Sequence, residues 1–198
     1  MADLEKTGKN LERRGFRVHR FASGAEAADY LVQTLHGTSI GIGGSVTIDT
    51  LGVYDRLCES NEVFWHWKNH APETRERAGK AETYLCSANG VSETGEIVNI
   101  DGKCNRVAAT LFGPKRCIFV CGVNKLRPDL QSAIERARNI AAPLNAKRLN
   151  KKTPCAVDGR CHDCKSSERI CRAMVIHMGV PSGFESCEVV LIGEKLGF

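Results

Sequence analysis

Apolar and polar positions along the chain switch repeatedly between two periods. From Phe16 to Phe21, apolar Phe16, Val18 and Phe21 are set among Arg17, His19 and Arg20, as in a strand with one covered face. Residues 3–14 predict a charged amphipathic helix, with Gly15 as its stop. Ser-Gly-Ala-Glu at 23–26 is a capping box and opens a helix through about Leu35. Ile40–Ile42 then reads as a buried strand and Gly43–Gly44 as a tight turn. Ser45 or Thr47 caps a helix reaching Leu57.

Glu62–Trp67 is predicted as a strand, and Pro72 as the first position of a helix. Trp65 and Trp67 share one face of that strand and are read as core. Thr83–Cys86 and Gly95–Ile100 are predicted strands. Arg116–Val123, RCIFVCGV, is apolar enough to be buried on both faces. Alternation places Cys117 and Cys121 on one of those faces, as small hydrophobes. Pro128–Ala141 is expected to be a helix that Pro143 ends. A helix around Glu168–His177 and a strand over Glu188–Gly193 complete the reading.

Strands alternating with helices imply an α/β fold, a mostly parallel open sheet flanked by helices. The rhythm holds over residues 1–150. It breaks at 151–180, a small Cys-rich insertion before the last strand, and resumes at 181–198.

Composition adds a location and a charge map. The longest apolar runs are too short to cross a bilayer, and charged residues interrupt the first twenty positions, so no secretory signal is legible there. A cytoplasmic protein is expected. The net charge of +5 is concentrated. Between Ala146 and Arg172 eight basic residues face only three acids. That stretch lacks the interleaved aromatics that stack bases, which argues against nucleic acid.

Gly43, Gly44 and Ser45 lie where a strand hands over to a helix, a place where backbone N–H groups can meet a small anionic ligand. The loop matches neither a dinucleotide fingerprint nor a Walker loop. In the polar stretch 87–108, Glu93 and Asp101 sit at strand ends, where a carboxylate could act as base or nucleophile. Both also precede or begin ordinary turn pairs.

The ordered motifs GIGGSVT, SANGVSETGEIVNIDG, NRVAATLFGPK, GVNKL and RARNIAAPLNAKRL resemble the LUD-domain family of lactate-utilisation proteins. The resemblance covers about residues 1–150. It implies a fold similar to sugar-phosphate isomerases and CoA transferases, with Gly43, Gly44 and Ser45 at the ligand and Glu93, Asp101, Asn105 and Arg106 facing a cleft. It further implies an accessory or redox subunit in oxidising lactate or a related 2-hydroxy acid, working with iron–sulfur partner proteins. Two other readings stay open: a stand-alone enzyme acting on a phosphorylated or CoA-linked small molecule, and a regulatory or scaffold protein with structural zinc.

Four of the ten cysteines fall within residues 155–171. Cys155, Cys161, Cys164 and Cys171 are spaced x5, x2 and x6. The two-residue gap lets Cys161 and Cys164 bind one centre, and the flanks supply the other two ligands. Four thiolates suit a 4Fe–4S cluster or tetrahedral zinc. Arg160, Lys165, Arg169 and Arg172 would offset the negative charge of either. The association with lactate oxidation favours iron.

Overall fold

The computed structural model describes residues 2–198. Helix α1 (Leu4–Arg13) is capped by Asp3, whose side chain accepts from the Lys6 N–H, and Gly15 at φ +92° ends it. Strand β1 (Arg17–Phe21) leads to α2 (Gly24–Thr34), with Ser23 as N-cap and Glu26 reaching back to the Ala22 N–H at 3.0 Å. Strand β2 (Ser39–Ile42) is followed by α3 (Val46–Leu51) and α4 (Tyr54–Cys58). The single helix expected up to Leu57 is broken by Gly52 in the left-handed region, φ +64°. Glycine reaches that conformation without the Cβ clash other residues meet.

Strand β3 (Glu62–Trp65), helix α5 (Thr74–Lys80) and strand β4 (Thr83–Cys86) follow. The hairpin β5 (Gly90–Ser92) and β6 (Ile97–Asp101) turns at Gly95, and α6 (Asn105–Ala109) leads into β7 (Arg116–Gly122). A short β8 (Leu126–Arg127) precedes α7 (Leu130–Arg136). Helix α7 continues through a π turn, Ala137–Ala141, into α8 (Ala142–Arg148). Pro143 therefore does not end the helix as expected. The π turn re-routes the backbone hydrogen bonds just where proline withdraws one, and proline sits in the first turn of the next helical piece.

Six strands form one parallel sheet in the order β1, β10 (Ser186–Ile192), β7, β4, β2, β3. Helices α2, α3 and α4 cover one face, where Ile118 and Val120 of β7 meet Leu31, Ile48 and Leu57. On the other face Cys117, Phe119 and Cys121 pack with Leu11, Ala78 and the second sheet. Both faces of β7 are buried, as its continuous apolar run predicts. Each fully buried Ile, Val or Phe contributes roughly 1.5–3 kcal/mol by leaving water.

The second sheet has the order β8, β5, β6, β9 (Ala173–His177), with β6 antiparallel to both β5 and β9. Helix α7 and the π turn pack on it through Ala133 and Ala137 against Val98. The helix expected over Glu168–His177 is instead an irregular strap followed by β9. The β9 ladder partner is Ile97–Asp101, some seventy residues away, so nothing local in the sequence reports it. A short helix, α9 (Pro154–Asp158), opens the cysteine segment. Among the described residues no helix is long and apolar enough to cross a membrane.

Candidate functional site

The carboxyl ends of β2, β3, β4 and β7 open onto one cavity of about 600 Å³. Open α/β sheets hold their ligands in this position, because the loops leaving the strands diverge there. Gly44 and Ser45 come from the end of β2, and His66 and Trp67 from β3. Asn89 follows β4, Asp101 ends β6, Asn105 and Arg106 open α6, and Lys125 follows β7. The strap Ser167–Arg172 of the cysteine segment closes one side.

The glycine loop is shaped by its neighbours. A Cβ on Gly43 would stand 3.0 Å from both Arg106 Cγ and the Tyr84 hydroxyl, and one on Gly44 would stand 3.2 Å from Trp67 Nε1. Gly43 thus lies beneath the Arg106 stem rather than in the wall itself. The Ser45 hydroxyl accepts from the Ile48 N–H at 3.2 Å and caps α3.

Arg106 is a cross-brace. Its Nη1 donates to the Ser87 carbonyl at 3.2 Å and to Asn99 Oδ1, and its Nη2 donates to the Ile100 carbonyl at 2.7 Å and to Asn89 Oδ1 at 3.4 Å. Its Nε lies 3.7 Å from Asp101 Oδ2. With its donors engaged, Arg106 supplies fixed positive charge and rigidity. Asp101 accepts from the Cys104 and Val107 N–H groups at 3.2 and 3.3 Å, which orders the turn into α6.

Of the sequence-predicted residues, Gly44, Ser45, Asp101, Asn105 and Arg106 line the cavity together. Glu93 is not brought to it. Its carboxylate accepts from the Asp3 N–H at 2.7 Å and pairs with Lys6 Nζ at 2.7 Å, fastening α1 to the β5–β6 turn. Trp65 is core, 1% exposed, and stacks on Trp67 at 5.6 Å. Trp67 itself reaches the cavity, with the Arg148 guanidinium 4.6 Å above its ring.

The sequence reading missed Lys125, which is 3% exposed and donates to the Phe198 carbonyl at 2.6 Å. Burial pushes its ammonium down to about 8, and nearby Arg136 and Arg106 act in the same direction. A cation directly after the most apolar strand was the available signal. His66 is also in the wall. Burial holds it down at about 4, helped by Arg75 and Lys103, so its imidazole is neutral at neutral pH.

Eight cations line the cavity, namely Arg75, Lys103, Arg106, Lys125, Arg148, Lys151, Arg169 and Arg172, against two acids, Asp101 and Glu168. A concave site of this polarity concentrates anions.

Cys171 stands in the cavity wall. Burial raises its thiol pKa; Arg169 lowers it, while Cys161, Cys155 and Cys164 add to the rise. The four sulfurs therefore share one neighbourhood. Arg169 binds it internally, donating to the Cys171 and Cys164 carbonyls, each at 2.8 Å. Arg138 Nη2 approaches Cys161 Sγ at 3.9 Å. Among the described residues no three Cys, His, Asp or Glu side chains converge tightly enough to hold a metal ion as they stand. In number, donor type and flanking charge the four thiols match a thiolate centre; in side-chain arrangement they are not closed around one.

A search of curated proteins found no match. Among solved structures, a DUF162 family protein from Deinococcus radiodurans is similar at 15% identity, with 96% of each chain covered and a TM-score of 0.58. The eIF2B beta structure from Chaetomium thermophilum is similar at 16% identity over 65% of this chain and 44% of that one, with a TM-score of 0.33. The former supports the fold alone. The LUD domain family model matches residues 4–192, nearly the whole chain, and the protein belongs to the LUD-domain family, a family of lactate-utilisation-type proteins.

Proposed function

We propose that this LUD-domain protein is an accessory redox subunit in the oxidation of lactate or a related 2-hydroxy acid, binding an anionic ligand beside a four-cysteine iron–sulfur centre. One observation carries the reading: the strap Ser167–Arg172, which includes Cys171, forms a wall of the cation-lined cavity. Ligand and thiolates would then be neighbours, and occupancy of one would be felt at the other. Cys155, Cys161, Cys164 and Cys171 would hold the cluster, which supplies one-electron transfer when bound. Arg169 and Arg138 would offset its negative charge, and the partner proteins would themselves carry iron–sulfur centres. Such thiols keep their function in a reducing cytoplasm.

The chain's own residues set what the cavity can do. Arg106, fixed by four acceptors, and Lys125 supply positive charge in the cavity wall. Neutral His66, the carboxylates of Asp101 and Glu168, and Lys125 are groups there that could accept or hold a proton, and this favours small-molecule chemistry over a purely structural role.

The test is anaerobic purification with iron, sulfide and zinc analysis and an absorption spectrum. Iron and inorganic sulfide in equal, stoichiometric amounts, lost in Cys164→Ala, support the reading. Stoichiometric zinc without iron removes the electron-transfer role, and iron and sulfide that survive Cys164→Ala overturn the four-cysteine site.

A further inference from the structure

Ion pairing is distributed unevenly over the molecule. Outside the cavity about half of the lysines and arginines meet a carboxylate, Arg14, Arg56, Arg77 and Arg116 among them. Among the eight cavity cations only Arg106 and Arg169 do. The other six, Arg75, Lys103, Lys125, Arg148, Lys151 and Arg172, have no side-chain carboxylate partner among the described residues, and Lys125 Nζ has a Phe198 main-chain oxygen at 2.6 Å. Lys125 is nearly fully buried, where a charge is costly unless its partners offset it.

The space is also large. A water occupies about 30 Å³ of the liquid, so a cavity of about 600 Å³ equals on the order of twenty waters. A three-carbon acid with one carboxylate would leave most of that volume to solvent and most of the six cations unmet. Phosphate groups carry close to two charges near neutral pH and present several acceptor oxygens, which suits guanidinium forks and ammonium groups together. Arg148 is held at the cavity for such a partner, its guanidinium carbon 4.6 Å from the Trp67 ring centre and its Nη2 donating to Asn145 Oδ1 at 2.8 Å.

We propose that the cavity takes a phosphate-bearing polyanion of nucleotide size rather than free lactate. The inference rests on the anion-binding reading above. It would make the cavity a site for a phosphorylated effector or co-substrate, distinct in chemistry from the 2-hydroxy acid whose oxidation the protein serves.

Isothermal titration of the full chain at pH 7 and low salt, with ADP, inorganic pyrophosphate and L-lactate as probes, tests it. ADP and pyrophosphate should bind at least about tenfold tighter than L-lactate. Arg148→Gln and Lys125→Met should each weaken pyrophosphate about tenfold while melting cooperatively, and Arg75→Gln serves if either fails to fold. L-lactate binding as tightly as pyrophosphate and ADP overturns the inference and leaves the anion cavity standing. Unchanged pyrophosphate affinity in the variants also overturns it, since binding would then lie elsewhere. If none of the three probes binds, the anion-binding reading falls with it.

Discussion

The backbone N–H of Arg172 donates to the Asp101 carbonyl at 2.9 Å. This bond joins the cysteine segment to the loop that carries the cavity carboxylate. The join is close-packed, because a Cβ on neighbouring Gly102 would stand 3.0 Å from the Ile170 carbonyl oxygen. The ladder then continues through Ala173 opposite Asp101 to His177 opposite Ile97. The cysteine segment is thus laid onto the cavity rather than hung from the surface.

On the proposed four-cysteine centre, that contact would couple the strap to the thiols. With the proposed centre in place, removing its metal with a chelator, or replacing Cys155 by Ser, should speed amide hydrogen exchange in residues 160–172 and 101–106. Exchange in β7 and β10, at the centre of the sheet, should not change. Uniform acceleration would show global destabilisation instead, and no change at all would show that the strap is held without metal.

Lys125 carries a stability cost with a defined pH dependence. Its folded-state pKa, about 8 against 10.5 for an ordinary lysine, means the unfolded chain binds more protons between those values, so this group makes stability rise with pH across that window. Below about 8 the cost is fully present. At pH 7 Lys125→Met should therefore stabilise the fold by about 2 kcal/mol, after allowing for the hydrogen bond lost to Phe198. Urea midpoints should show the gap shrinking by pH 10.

Gly43 should not tolerate a side chain. An alanine Cβ there meets Arg106 and the Tyr84 hydroxyl, and overpacking of this kind costs roughly 1–3 kcal/mol. Gly43→Ala should lower the urea midpoint and weaken pyrophosphate binding, because the arginine brace must shift. A variant with wild-type stability would show that Arg106 is free to move.

Glu93 and Asp101 should separate cleanly. Glu93→Gln should leave anion affinity unchanged, since that carboxylate is engaged with α1. Asp101→Asn removes a negative charge from a cationic wall and should tighten anion binding several-fold by calorimetry. Weaker binding in Asp101→Asn would mean that the carboxylate matters chiefly by ordering the turn into α6.

Much of the fold was legible because its signals are local. The Ser23 and Ser45 caps, the Gly15 stop and the two-faced burial of β7 each follow from a few adjacent residues. The cluster of Asp101, Asn105 and Arg106 was accessible only through ordered motifs, since spacing alone does not say that the junction of β6 and α6 faces the end of β2. The break at Gly52 is local, but two other errors are long-range. Strand β9 needs a partner far away in the chain, and the passage of Pro143 within a continuing helix depends on a π turn packed against the second sheet.

By itself, the sequence determined an α/β chain with a parallel sheet, a glycine loop at a strand end and four clustered thiols, because periodicity, capping and spacing are written in neighbouring residues. Only the tertiary structure decided that Glu93 serves α1, that Lys125 is buried at the cavity, and that the cysteine strap forms one of its walls. Those outcomes depend on which distant segments share a sheet end, and burial and charge acquire their meaning only once such segments are side by side.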